Sequence, residues 1–262
     1  MTQTERRIFL IKELLGEQNR YAGLEIPSDK YEQERLLRSL FNIRMPRPVS
    51  DSFLLVQDAY LRKEIEEKGI TDFSELKAVQ KDIFLWRGDI TLLKCDAVVN
   101  AANSQLLGCF YPCHSCIDNA IHTYAGVQLR SSCAELMKRQ GHEEKTGGAK
   151  LTPAFNLPCK YVLHTVGPIV GGRLTEENIS ELSSCYRSCL ELAEQNHIGS
   201  IAFCCISTGE FHFPNREAAQ MAVKTVKKYK AETRSEMKVI FDVFKDKDYE
   251  IYRELLGADK NP

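Results

Sequence analysis

From Ile83 onward the chain alternates short apolar runs with longer amphipathic stretches, and that alternation restricts it to α/β architectures. Strands are expected near 83–87, 96–101, 160–166, 200–205 and 237–243. Helices fit between and after them, near 117–125, 128–140, 176–195, 214–231 and 247–256, with Gly147-Gly148 and Gly167-Pro168 as turn signals. In such a sheet ligands bind at the carboxyl ends of the strands. The loops after Val98-Val99-Asn100 and after Cys204-Cys205 are therefore where function is to be sought.

Residues 1–75 have a different texture, with helical punctuation and no strand signal. Thr4 to Leu15 carries apolar residues at Ile8, Ile11 and Leu15. Ser28-Asp29 opens a second helical run through Tyr31, Leu36, Leu37 and Leu40, and Ser50-Asp51 opens a third that stops at Gly69. Met45-Pro46-Arg47-Pro48 forces an extended break between the last two. The chain thus divides into a small helical extension, 1–75, and an α/β domain, 76–262.

A formal net charge of −1 gives no global attraction to nucleic acid or anionic lipid, so neither partner is expected. Lys224, Lys227, Lys228 and Lys230 alternate with Val223, Val226 and Tyr229, as on the solvated face of a helix. The ten cysteines are dispersed, several inside apolar runs, which suits reduced core residues of a cytoplasmic protein. The first fifteen residues fit neither a signal peptide nor a membrane span, because Lys12 and Glu13 interrupt the apolar stretch.

The densest chemistry lies in Gly108-Cys109-Phe110-Tyr111-Pro112-Cys113-His114-Ser115-Cys116, three thiols and an imidazole directly after a buried strand. Soft ligands at a strand end suggest zinc. Spacing alone permits Cys113 with Cys116 as a C-x-x-C knuckle and a closed, four-ligand structural site. It also permits an open site. Adjacent residues of an extended segment point to opposite sides, so Cys113 and His114 do not both reach one ion, whereas His114 and Cys116 share a face.

Six segments occur in the order found in macrodomains: Trp86-Arg-Gly-Asp-Ile-Thr91, Ala97-Val-Val-Asn-Ala-Ala-Asn-Ser-Gln-Leu106, Ile117-Asp-Asn-Ala-Ile-His122, Thr152-Pro153, Tyr161-Val-Leu-His-Thr-Val-Gly-Pro168 and Ile206-Ser-Thr-Gly209. The chain resembles that family over about 82–257. The resemblance implies a three-layer α/β/α domain with a mixed central sheet that binds ADP-ribose. Where most of the family carries a run of glycines, this chain has the cysteine loop. It is similar there to the bacterial zinc-dependent branch, in which a helical N-terminal extension also occurs; mapped by that resemblance, the zinc ligands are Cys109, His114 and Cys116.

Carried over residue by residue, the resemblance implies that Asp89 accepts a hydrogen bond from the adenine amino group and that the amide of Ile90 also meets the base. Asn103 would hold the distal ribose, with Asn100 structural. Ser207, Thr208, Gly209, Glu210 and Phe211 form a strand-to-helix loop whose amides suit a diphosphate, Phe211 walling the ribose or diphosphate. His212 stands where the family usually has glycine. Asp118 matches an acidic position of several macrodomain hydrolases and could orient water or accept its proton; capping its own helix is the competing role. His122, His142, His164 and His197 are expected to be satisfied locally, and Cys185 and Cys189 to pack in the core.

The function these residues imply is zinc-dependent hydrolysis of the bond between ADP-ribose and a modified protein, with Asn103 and Asp118 as the catalytic candidates. A reader module whose zinc only shapes the pocket is the alternative, and an adaptor led by its N-terminal helices is a third. The resemblance further implies a mono-ADP-ribosylated lipoyl-carrier protein as substrate, modified by a sirtuin-class transferase.

Overall fold

The computed structural model describes residues 1–17, 21 and 23–257. Three helices come first: α1 (Gln3–Gly16), α2 (Lys30–Ile43) and α3 (Asp51–Lys68). Each starts on a side chain that accepts an orphan amide of the first turn: Thr2 in a capping box with Glu5, Asp29 on the Glu32 amide, and Ser50 on the Phe53 amide. Gly69 ends α3 at φ +92. The buried face of α1 is Arg7, Leu10, Ile11 and Leu14, so the Ile8 and Leu15 expected inside are only half-buried. Arg7 is fully interior because its Nε donates to Gln33 Oε1 at 3.0 Å.

The remaining elements are β1 (Thr71–Asp72), β2 (Ala78–Gln80), β3 (Ile83–Arg87), β4 (Leu93–Lys94), β5 (Ala97–Ala102), α4 (Ile117–Ala125), α5 (Val127–Gln140), β6 (Ala149–Pro153), β7 (Tyr161–Val166), α6 (Glu176–Gln195), β8 (Ser200–Phe203), α7 (Asn215–Thr233), β9 (Lys238–Val243) and α8 (Asp246–Leu256). Seven of the strands make one mixed sheet in the order β2-β3-β9-β8-β5-β7-β6. The five inner strands are parallel, and the edge strands β2 and β6 are antiparallel to their neighbours. The pair β1 and β4 forms a separate two-stranded ladder.

The five expected strands are present within a residue or two. The two antiparallel edges had no sequence signal, because β2 has three residues and β6 interrupts its apolar positions with Lys150 and Thr152. Burial explains the contrast: β5, β8 and β9 are covered on both faces and read as near-continuous apolar runs, broken by Asn100 in β5 and Asp242 in β9, as central parallel strands do. Helices α6, α7 and α8 pack side by side against the sheet, while α4 and α5 pack together beside β5. The main core runs through both layers and includes Cys185 and Cys189, each fully buried on α6. All ten cysteines are free.

The N-terminal helices form a second apolar cluster around Leu10, Ile11, Leu37, Leu40, Phe53 and Leu61, which Val127 at the start of α5 joins. Ile65 of α3 belongs instead to the main core. Among the described residues, no helix is long and apolar enough to cross a membrane.

Candidate active site

The carboxyl ends of the inner strands converge on one edge of the sheet, and four loops leave from it. After β3, Asp89 caps the short 3-10 turn Ile90–Leu92: its Oδ1 accepts from the Thr91 amide at 3.0 Å and the Thr91 hydroxyl at 2.6 Å. Its second oxygen carries no hydrogen bond among the described residues and is available to a ligand. The neighbouring strand β9 runs out at Val243, which accepts from the Gly88 amide, and the next residue, Phe244, is 75% exposed. An aromatic ring standing in solvent one residue beyond the bond that joins β9 to Gly88 is a candidate site residue that sequence reasoning missed. Its signal was available in a bulky apolar residue at a strand end, followed by Lys245 and Asp246.

After β8, the loop Ser207 to Phe213 is folded on itself. Ser207 has φ +64 and His212 φ +57, the Phe213 amide donates to Ser207 O, and the His212 amide donates to Gly209 O. The left-handed backbone at His212 is the conformation for which a glycine is usually chosen; the histidine adopts it with its side chain exposed. The amides of Gly209, Glu210 and Phe211 have no acceptor among the described residues. Three successive open N–H groups, ahead of the start of α7, make a nest for an anion. Gly167 is required next to it: a Cβ there would lie 2.1 Å from Ser207 Oγ.

After β5 comes the cysteine loop. Asn103 ties its beginning, donating from Nδ2 to Gly108 O at 3.1 Å and accepting the Gln105 amide on Oδ1. Gly108 has φ +78, and a Cβ there would meet the buried His122 ring at 2.7 Å. The loop then brings together one donor atom each from Cys109, His114 and Cys116, all within 4.8 Å of one another and half-buried. Cys109 Sγ is 3.7 Å from His114 Nδ1, and the other ring nitrogen of His114 lies 3.6 Å from Glu210 Oε1 on the opposite loop. Cys113 is not in the group. Its backbone takes φ +54 and its thiol turns to α2, 3.2 Å from Ser39 Oγ and 3.4 Å from Arg35 O.

Cys116, and not Asp118, caps α4: its Sγ accepts the Asn119 amide at 3.4 Å. Burial pushes the Cys116 thiol up to about 12. Asp118 is buried in the first turn, its Oδ1 accepting from Asn100 Nδ2 at 2.8 Å, and burial pushes its carboxyl up to about 6. Asn100 also reaches His164 Nδ1 at 3.2 Å, while His164 Nε2 meets Thr152 Oγ1 at 2.9 Å. His164 is therefore satisfied, and burial holds it neutral, down at about 3. His122 departs from the expectation of local satisfaction: neither ring nitrogen has a hydrogen bond among the described residues, and Asp118 Oδ1 lies 3.5 Å from Nε2.

A three-layer α/β/α sheet with an exposed aromatic, a carboxylate, an amide nest and a cluster of soft donors along one rim defines a nucleotide-type ligand-binding module. Comparison with known proteins makes the class specific. The family model described as Macro domain matches residues 99–222. A protein-ADP-ribose hydrolase of Treponema medium is 57% identical over 98% of this chain and 100% of its own length. One from Staphylococcus aureus (strain MRSA252) is 49% identical over 96% and 95%. Among solved structures, the Trypanosoma brucei macrodomain in complex with ADP-ribose superposes at TM-score 0.66 and 31% identity, covering 84% of this chain and 95% of that one. The Oceanobacillus iheyensis macrodomain with ADP does so at 0.62 and 34%, covering 70% and 94%. The chain belongs to the macrodomain family.

Proposed function

We propose that this chain is a hydrolase that removes ADP-ribose from modified proteins, and that a zinc ion held by Cys109, His114 and Cys116 serves the reaction at the distal ribose. The observation that carries the reading is the cluster of two sulfurs and an imidazole nitrogen within 4.8 Å, next to Asn103 at the end of β5. The naming of the 57% identical relative as a protein-ADP-ribose hydrolase supports the reaction. The donor set fits zinc in chemistry and number, since three protein ligands leave a position for an outside oxygen, as in catalytic rather than structural sites. Bound there, the ion supplies Lewis acidity beside the distal ribose.

The chain's own residues do the rest. Asp89 receives the adenine amino group on its free oxygen, Ile90 offers its amide to the base, and Phe244 gives the ring a face to stack on. The amides of Gly209, Glu210 and Phe211 hold the diphosphate without any cationic side chain, and Ser207 and Thr208 shape the turn that presents them. Asn103 retains one N–H and spare acceptor capacity for the distal ribose. The Glu210 carboxylate lies 3.6 Å from one nitrogen of His114 while the other faces Cys109, which leaves it within a small side-chain movement of accepting that N–H. Asp118 has one oxygen anchored by Asn100, and the other is left to orient water.

A mono-ADP-ribosylated lipoyl-carrier protein, modified by a sirtuin-class transferase in the cytoplasm, is the substrate this proposal includes. The test is single-turnover release of ADP-ribose from a modified protein by the full chain and by Cys109→Ala, which leaves the Cys116 cap of α4 intact. ADP-ribose affinity and circular dichroism should stay near wild type while release falls by orders of magnitude, because the missing interaction acts in the transition state. Near-normal release by a folded, metal-free variant would leave a non-catalytic reader as the better account of the loop.

A further inference from the structure

The loop from Leu107 to Cys116 has little structure of its own. Between its residues there is one backbone hydrogen bond, His114 N–H to Tyr111 O at 3.2 Å. Its other anchors are side chains from elsewhere. Arg130 Nε donates to Leu107 O at 2.7 Å, Asn103 Nδ2 to Gly108 O, and Asn119 Nδ2 to Tyr111 O at 3.0 Å. Helix α2 adds more: besides the contacts of the Cys113 thiol with Ser39 and Arg35, the Cys113 amide donates to Asn42 Oδ1 at 2.8 Å, and Arg38 Nη2 donates to His114 O at 2.9 Å. Asn42 is 1% exposed and is itself held by Thr123 Oγ1, to which its Nδ2 donates at 2.9 Å.

Arg38 reaches further than one carbonyl. The same Nη2 donates to Asn119 Oδ1 at 2.8 Å, with Nε at 3.3 Å, and the Asn119 amide is the group that Cys116 Sγ accepts. One guanidinium, planar and with donors in a fixed fork, thus ties the backbone of His114 to the residue that fixes Cys116. Two of the three donors are set relative to each other from outside the macrodomain.

We propose that Arg38 is a positioning residue for the metal cluster, and that the N-terminal helices serve as a buttress that preorganises the cysteine loop. This inference rests on the zinc reading above. Charge-assisted bonds to a carbonyl and an amide oxygen hold the loop in its ligating shape before the ion arrives, so the ion does not have to order it. Groups behind metal ligands change affinity by about 10- to 100-fold when removed.

The test measures zinc affinity of the full-length chain by competition with a chromophoric chelator, beside the thiolate-to-metal absorption of the cobalt(II) form. Arg38→Ala should weaken zinc binding by about 10- to 100-fold and alter the cobalt spectrum. ADP-ribose affinity of the metal-free chain should not move, since the adenine and diphosphate ends are elsewhere. With saturating zinc, kcat should fall more than KM. Arg38→Lys, with a compact charge that cannot span both acceptors, should fall between, and serves if the alanine variant does not fold. Wild-type zinc affinity and cobalt spectrum in both variants, with only thermal stability reduced, would overturn the proposal while leaving the zinc reading intact. A wild-type chain that takes up no zinc would instead defeat the reading on which it rests.

Discussion

Asp89 offers the sharpest separation of recognition from chemistry. One of its oxygens is committed to the Thr91 amide and hydroxyl, at 3.0 and 2.6 Å, and the other is open. Asp89→Ala deletes the charged acceptor proposed for the adenine amino group, a loss of about 1.5–3 kcal/mol, which corresponds to a dissociation constant about 10- to 150-fold higher. The variant also loses the turn cap, so Asp89→Asn is the control. Its amide oxygen can keep the Thr91 bonds while its NH2 meets the adenine amino group donor to donor. Asn should therefore bind ADP-ribose nearly as poorly as Ala. It should favour the inosine analogue, whose carbonyl accepts where adenine donates, and which the wild-type carboxylate repels. Calorimetry of the two proteins against the two ligands, on metal-free chains, reads the crossover directly. Unchanged ADP-ribose affinity in Asp89→Ala, or an Asn variant with no gain for the inosine analogue, would refute the pose.

Three further outcomes are expected. Cys113→Ser should keep zinc content near wild type while Cys116→Ser lowers it, because the Cys113 thiol faces Ser39 and Arg35 and lies outside the donor cluster; equal losses by elemental analysis would sink the three-ligand assignment. Gly108→Ala should destabilise the fold by about 2–5 kcal/mol in denaturant titration, adding a left-handed alanine to a methyl driven against the fixed His122 ring; a cost below about 1 kcal/mol would mean the loop is not packed as described. Stability should fall on acidification from pH 7.5 to 6.0, measured on the metal-free Cys109→Ala chain. His164 (about 3) and His122 stay neutral when folded but take up protons near 6.5 when unfolded, so about 0.8 kcal/mol per histidine is lost across that window. Asp118, pushed up to about 6, is already half protonated in the folded chain at pH 6 and offsets about 0.4 kcal/mol of this, which leaves a net loss of about 1.2 kcal/mol. Stability that is flat or rising towards pH 6 would contradict the burial of these rings.

The inner strands and the three N-terminal helices were legible because their signals are local. Continuous apolar runs mark β5, β7, β8 and β9, and Asp29 and Ser50 mark helix starts by chemistry that acts within one turn. Edge strand β6 was not, since its ladder partner β7 lies outside its own sequence and its own residues are mostly half-buried. At the site, the spacing of Cys109, His114 and Cys116 could be read, yet what sets their arrangement could not. Arg38 and Asn42 meet the loop across separations of 76 and 71 residues, and no periodicity records such a contact. His122 misled for the same reason. Its isolation follows from which groups surround it in space, and nothing adjacent in sequence announces it.

The position of β9 between β3 and β8 means that the last of the sheet's strands in chain order fills a slot in the middle of the sheet. Until Lys238–Val243 emerges, a nascent chain presents two unpaired parallel edges, those of β3 and β8, each a template for wrong pairing. The distal half of the crevice, built on β5, β7 and β8, can take shape during that interval. The end proposed for adenine cannot, because Asp89 follows the first of the sheet's inner strands and Phe244 follows the last. The proposed adenine end of the crevice is thus complete only once β9 is in place, and ADP-ribose should bind chains that hold this strand in preference to chains that lack it.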